Sequence, residues 1–240
     1  MTTNLVIPVG GLGKRFLEEG YSTIKPMIPV DGKPMLVASV ESLSIAVTHK
    51  IFAIRKFKDY EMLCDAIIKS DPRALLYTFD KITEGPAITV YNALKHFDID
   101  NTDALYTANC DQIMRWDSVA FQHMSDISDG TVVTFEGGTT AHSFIELDKT
   151  GKAVRLTEKI KISNTALAGI HHWKRTIDFI STVDKMVSMN DRAPNGEFYI
   201  APSYNYMIQD NKTIRVHHIP KSMFCPIGTP EELRLYLDGN

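Results

Sequence analysis

The chain has 240 residues, 44% hydrophobic and 23% charged, with 26 basic against 29 acidic side chains. That profile excludes a disordered tail, a collagen-like repeat and a disulfide-dense mini-scaffold, and a net charge of −3 gives no basic excess to hold a nucleic acid. No apolar run approaches the roughly 20 residues that span a bilayer, and the opening Met-Thr-Thr-Asn lacks the regions of a signal peptide, so a cytoplasmic protein without membrane insertion is expected.

In chain order, Leu5 to Val9 reads as a first strand that ends in Gly10-Gly11. Met35 to Val47 predicts a helix, with Met35, Leu36, Val40, Leu43 and Val47 on or near one face. Lys50 to Arg55 is a second strand, Tyr60 to Lys69 a helix, Ala74 to Phe79 a third strand. Pro86 to Phe97 is a helix with proline in its first turn. Ala104 to Ala108 is a fourth strand, closed by Asn109-Cys110-Asp111. This alternation implies parallel strands with helices on both faces.

The rhythm changes after about residue 130. Thr131 to Phe135, Ser143 to Leu147 and Ala153 to Glu158 read as strands, the last two joined by an Asp148-Lys-Thr-Gly151 turn. Ala166 to Trp173 is strand-like and Thr176 to Val187 helical. A tyrosine-rich helix follows Pro202, and Ile214 to Ile219 is a late strand. Thr229-Pro-Glu-Glu opens a last helix, with threonine as its N-cap. No repeat, low-complexity segment or linker interrupts the chain, so one domain over 1–240 is expected. Cys64, Cys110 and Cys225 are odd in number and widely spaced, and read as small buried apolar residues.

Val9-Gly10-Gly11-Leu12-Gly13-Lys14-Arg15 is the strongest local signal. It reads either as an ordinary turn or as a loop whose backbone N–H groups cradle phosphate. A P-loop would need glycine where Pro8 stands, and a dinucleotide fingerprint would need it at Phe16. Lys14, Arg15 and, about ten residues on, Lys25 suit a triphosphate, whose leaving pyrophosphate they would neutralise. Asp111 follows the fourth strand, where open α/β sheets bind ligands. It is either a turn former or a ligand for Mg²⁺. Asp117 reads as a second metal-site candidate or, in preference, the cap of the helix that follows. His171-His172 and His217-His218 lie in strands and point to opposite faces, so neither pair suits one metal. Tyr199, Tyr204 and Tyr206 read as residues that pack a helix against the sheet. No serine, histidine and aspartate form a hydrolase motif.

Taken together, several collinear stretches resemble the sugar-phosphate nucleotidyltransferases, also called NDP-sugar pyrophosphorylases. They are Ile7 to Phe16, Lys25 to Met35, Glu84-Gly-Pro-Ala87, Asn109-Cys-Asp111, Phe144 to Lys159, Ala168-Gly-Ile-His171, Gly196 to Ile200 and Ile227-Gly-Thr-Pro-Glu-Glu-Leu233. Segments such as Asn109-Cys-Asp-Gln112, Asn195-Gly-Glu-Phe-Tyr199 and Tyr204-Asn205 resemble a subgroup found in bacterial capsule and surface-polysaccharide gene clusters.

The resemblance implies a three-layer, Rossmann-like fold: a mixed, mostly parallel sheet with helices on both faces, of the nucleotide-diphospho-sugar transferase type. Its nucleotide half would be about 1–125 and its acceptor half about 126–240. The implied reaction couples an NTP to a sugar phosphate and releases pyrophosphate. Arg15, Lys25, Asp111 and Lys159 would be catalytic. Val9, Gly10, Gly11, Leu12, Gly13, Lys14, Glu84, Gly85 and Asn109 would bind the nucleotide. Gly169, Glu197 and Lys159 would bind the acceptor, and Asp111 would hold Mg²⁺. Two departures stand out. Cys110 replaces a usual glycine, and Pro226 stands where the family has a second metal-binding aspartate. The base is open: Glu84 could accept from an exocyclic amine, which favours cytosine or guanine over uracil or thymine, with CTP slightly favoured. The acceptor is a phosphorylated sugar or a small non-sugar phosphate, and a homo-oligomer is possible. A non-catalytic nucleotide-binding homologue is the alternative of another class. A glycosyltransferase would want an Asp-x-Asp motif that Asp111-Gln-Ile does not supply.

Overall fold

The structure is a computed structural model that describes residues 2–11 and 13–239. Strand β1 (Thr3–Val9) opens the chain, followed by a short helix α1 (Lys14–Glu18) and a 3₁₀ turn at Lys25–Met27. A small ladder of β2 (Pro29–Val30) and β3 (Lys33–Pro34) leads into α2 (Met35–Leu43). Then come β4 (His49–Arg55), α3 (Tyr60–Ser70), β5 (Leu75–Phe79), α4 (Pro86–His96) and β6 (Ala104–Ala108). Strand β7 (Gln112–Met114) and helix α5 (Ser118–Asp126) close the first half. The second half has β8 (Gly130–Glu136), β9 (Ser143–Leu147), β10 (Ala153–Glu158), β11 (Thr165–Trp173), α6 (Thr176–Ser188), α7 (Ile200–Gln209) and β12 (Ile214–His218). It ends with β13 (Phe224–Pro226) and α8 (Pro230–Leu237).

One nine-stranded mixed sheet runs through both halves. Strands β5, β4, β1 and β6 are parallel, so their carboxyl ends line one edge. Strand β1 is buried on both faces, which explains its unbroken apolar run from Leu5 to Ile7. Two cores flank the sheet. On one face α4, α6 and α7 pack around Trp173, whose indole stacks on Tyr204 at 4.6 Å. On the other, Leu36, Leu43, Leu63, Ile67 and Phe121 cover β1 and β4. This is the expected fold class.

Strand β11 is the pivot. Its first residues pair with β9, at Ala166 and Phe144, whereas Ile170 to Trp173 pair with β6. The change of partner falls at Gly169, where the backbone turns left-handed (φ 66°) and the register with β8 also shifts. The sheet therefore opens just past the end of β6.

Three expectations are corrected. Helix α2 stops at Leu43, short of Val47. Ser44 takes a left-handed conformation that caps it, and both backbone groups of Ala46 bond the Gln122 side chain, which holds the next residues out of the helix. Helix α7 starts at Ile200, before Pro202, because the missing proline N–H falls in a first turn that has no intrahelical partner. The three cysteines are partly buried, and none is fully enclosed. Asp117 does cap α5, accepting from Val119 N at 2.9 Å. No helix among the described residues is long and apolar enough to cross a membrane.

Candidate active site

The carboxyl ends of β1, β5 and β6 and the start of α7 enclose a cavity of about 380 Å³. Val9, Gly10, Gly11 and Gly13 form one wall, Lys25, Asn109, Cys110 and Asp111 the floor, and Gly85, Glu197 and Tyr199 the opposite side. Nine expected site residues thus meet in one space. Val9, Gly10, Gly11 and Gly13, and Asn109 to Asp111, are brought there by the carboxyl ends of β1 and β6, Lys25 by the 3₁₀ turn after α1, Gly85 by the turn before α4 and Glu197 by the loop before α7.

Lys25 and Asp111 are the charged centre. Lys25 Nζ donates to Asp111 Oδ2 at 2.5 Å, and both side chains are mostly buried. Burial alone would depress the lysine, but the Asp111 carboxylate and, further off, Glu232 outweigh it and raise its pKa, so it stays cationic at neutral pH. A Cβ at Gly13 would stand 2.8 Å from Lys25 Cβ, so the glycine lets the cradle close over the lysine. Beside them, burial, then the Asp111 charge, pushes the Cys110 thiol up to about 12, so it is an inert lining group.

Beside Tyr199, Lys159 holds a left-handed backbone (φ 57°) and its N–H bonds His142 O at 3.0 Å. Its ammonium donates to Tyr199 Oη at 2.5 Å. Asn195 Nδ2 donates to the same oxygen at 3.1 Å and to Glu197 Oε2 at 2.8 Å. Tyr199 accepts twice, and burial, then a hydrogen bond to the Glu197 carboxylate, raises its pKa. Behind Lys159, Glu158 is buried against the Ser143 hydroxyl, and burial raises its pKa. Gly169 lies beside Asn109: their backbones bond at 3.0 Å, and a Cβ on Gly169 would fall 2.2 Å from Asn109 Nδ2.

Other expected residues stand back from the cavity. Lys14 and Arg15 are exposed on α1 and do not line it. Leu12 lies outside the described residues. Lys159 and Gly169 reach it only through Tyr199 and Asn109. Glu84 turns away and pairs with Arg192. Tyr199, read from the sequence as packing, instead lines the cavity, whereas Tyr204 is buried in the core with its hydroxyl donating to His172 O at 2.9 Å. Phe79, Thr83 and Thr89 also line the cavity and were not foreseen. Position in the fold identifies them: Phe79 ends a parallel strand, and Thr83 and Thr89 flank Gly85.

A family model described as a MobA-like NTP transferase domain matches residues 5–144. The chain belongs to that family. No curated protein matches its sequence. Solved structures do. A nucleoside-diphosphate-sugar pyrophosphorylase from Vibrio cholerae RC9 is 27% identical, with a TM-score of 0.84 over 98% of this chain and 99% of that one. HddC from Yersinia pseudotuberculosis is 21% identical with a TM-score of 0.68, over 98% and 97%. An inositol-1-phosphate CTP transferase from T. maritima is 11% identical with a TM-score of 0.74, over 98% and 92%. The last two share the fold.

The donors around Asp111 show how far this NTP transferase's site would suit a metal ion. Pro226 pairs with Gln112 beside Asp111 and offers no side-chain ligand. Among the described residues no three His, Cys, Asp or Glu side chains gather as a metal cluster. Space is nevertheless kept open at Asp111: Gly228 has no side chain there, and a Cβ would lie 2.8 Å from Asp111 Oδ2. One carboxylate with open space beside it fits Mg²⁺, which keeps few protein ligands and takes the rest from phosphates and water.

Proposed function

We propose that this NTP transferase couples a nucleoside triphosphate to a sugar phosphate, releasing pyrophosphate and an NDP-sugar for a surface or capsule polysaccharide. The Lys25–Asp111 pair on the floor of the cavity, facing the glycine cradle, carries this reading. An ammonium held cationic at that point suits charge on the α-phosphate, and the backbone of Gly10, Gly11 and Gly13 suits the rest of the triphosphate.

The acceptor's phosphate oxygen attacks the α-phosphorus in line with the departing pyrophosphate, and no covalent enzyme intermediate is needed. Catalysis is positioning plus charge neutralisation. Lys25 stabilises the α-phosphate oxygens. Asp111 keeps Lys25 in place and would hold Mg²⁺, which when bound neutralises triphosphate charge. Arg15 and Lys14 stand on exposed α1, free to reach leaving phosphates at the rim. Lys159 offers its ammonium to the acceptor phosphate, and Glu197 with Asn195 offers partners for sugar hydroxyls. A quaternary-ammonium acceptor suits the site less well, since Lys159 already stands 4.5 Å over the Tyr199 ring. The base-side wall carries the Thr83 and Thr89 hydroxyls, bonded at 2.6 Å, with Glu84 turned outward.

The test is thermal melting with ATP, GTP, CTP, UTP and dTTP, with and without Mg²⁺, followed by pyrophosphate release with a panel of sugar phosphates. A ligand at about 100 times its Kd adds roughly 2.7 kcal/mol, about 5–10 °C for a chain of this size. One base should shift wild type in a Mg²⁺-dependent way, and Asp111→Asn should lose that dependence. Absence of any shift at millimolar nucleotide would overturn the reading. Because Pro226 removes a carboxylate, a second reading is nucleotide binding without turnover; a selective shift with no pyrophosphate from any acceptor would favour it.

A further inference from the structure

The loop before α7 and the turn before α4 are joined at three levels. Phe198 N–H bonds Glu84 O at 2.7 Å and Ala87 N–H bonds Phe198 O at 3.1 Å. Gly85 permits this contact: with φ 132°, it would place a Cβ 2.4 Å from Phe198 O. Arg192 then closes the outside. Its guanidinium donates to the Glu84 carboxylate, to Gly196 O at 2.8 Å and to Asn190 Oδ1 at 2.7 Å, and it lies 4.0 Å over the Phe198 ring.

An exposed ion pair alone is worth little. This one belongs to a fork with every nitrogen engaged, stacked on a buried ring, which fixes geometry as well as charge. The two segments it joins meet side by side at the cavity. Thr83, Gly85 and Pro86 from one segment and Glu197 and Tyr199 from the other line the cavity. Resting on the nucleotidyltransferase reading above, we propose that Arg192 is a positioning residue: its clasp on Glu84 transmits nucleotide occupancy at the turn to the acceptor loop, so that a bound base orders Glu197 and Tyr199 for the second substrate. Glu84 therefore acts as the anchor of this clasp, outside the base's reach.

Hydrogen exchange tests the coupling without knowing the acceptor. The probes are Mg²⁺ with each of the five nucleoside triphosphates, applied to wild type, Glu84→Ala and Arg192→Gln, with melting temperatures as a check that all three are folded. In wild type, the nucleotide that protects the glycine loop should also slow exchange at Gly196 and Phe198 by about fivefold or more, the low end of ordinary site–site coupling. Both variants should keep the glycine-loop protection and lose the distal effect. Distal slowing of equal size in the variants would overturn the clasp, as would its absence in wild type while the glycine loop is protected. If no nucleotide protects the glycine loop, the nucleotide reading falls and the clasp's role with it. Should one variant melt early, the other carries the comparison, since they remove opposite partners of the same contact.

Discussion

Lys25 and Asp111 work as a pair, and each explains the other's position. Without the lysine, Asp111 would meet the triphosphate as an uncompensated negative charge. Lys25→Met is expected to lower kcat/KM by about 10²–10³-fold, the scale of losing one preorganised charge stabiliser, read by steady-state pyrophosphate release. Gly11 separates binding from folding. Its φ is ordinary and a Cβ there meets nothing within 4 Å, yet it lines the cavity. Gly11→Ala should melt like wild type and lose nucleotide affinity, measured by titration calorimetry. Gly85→Ala should do the reverse first, costing about 1–3 kcal/mol from backbone strain and collision with Phe198, measured by urea denaturation. At this scale the sequence told which residue types gather, since Lys25, Asp111, Gly85 and Glu197 all reach the cavity. It could not tell where a side chain turns. Glu84 lies beside Gly85 in the chain but is drawn outward by Arg192, a partner 108 residues away. Tyr199 looked like packing because its role depends on Lys159 and Asn195.

Among the elements, α8 shows how a cap serves a distant site. Thr229 Oγ1 accepts from Glu232 N at 3.2 Å and the Glu232 carboxylate accepts from Thr229 N at 2.9 Å, a complete capping box. The residues just before it, Ile227 and Gly228, press on Asp111, and Ile227 N–H bonds Asp111 O at 2.9 Å. Thr229→Ala should cost about 1 kcal/mol, seen as a lower urea midpoint with an unchanged slope. The strand and helix series of the first half was legible because parallel strands and amphipathic helices carry strong periodicities. The pieces that escaped are short: α1, the β2–β3 ladder, β7 and β13. Strands of two or three residues hold too few positions for a period to show, and β7 and β13 exist only because they pair with each other.

Over the whole molecule, two buried histidines contribute to the loss of stability in acid. His171 and His172 are buried in β11, and burial lowers each pKa to about 3, with Lys174 adding to the effect on His172. In the unfolded chain they titrate near 6.5. Between these values the unfolded state binds the protons, so stability is full above about pH 6.5 and falls as pH drops, by up to about 1.4 kcal/mol per histidine per pH unit. Urea midpoints from pH 7.5 to 4.5 should show this slope, reduced in His172→Gln. The same strand has a bearing on synthesis. Strand β6 has β1 on one side, but its other neighbour is β11, made some sixty residues later. During translation, at about 5–20 residues per second, the emerging parallel half waits several seconds with a bare edge at its centre, open to pairing with another nascent chain. A ribosome pause before β11 would lengthen that exposure, and a fragment cut at residue 144 would make it permanent.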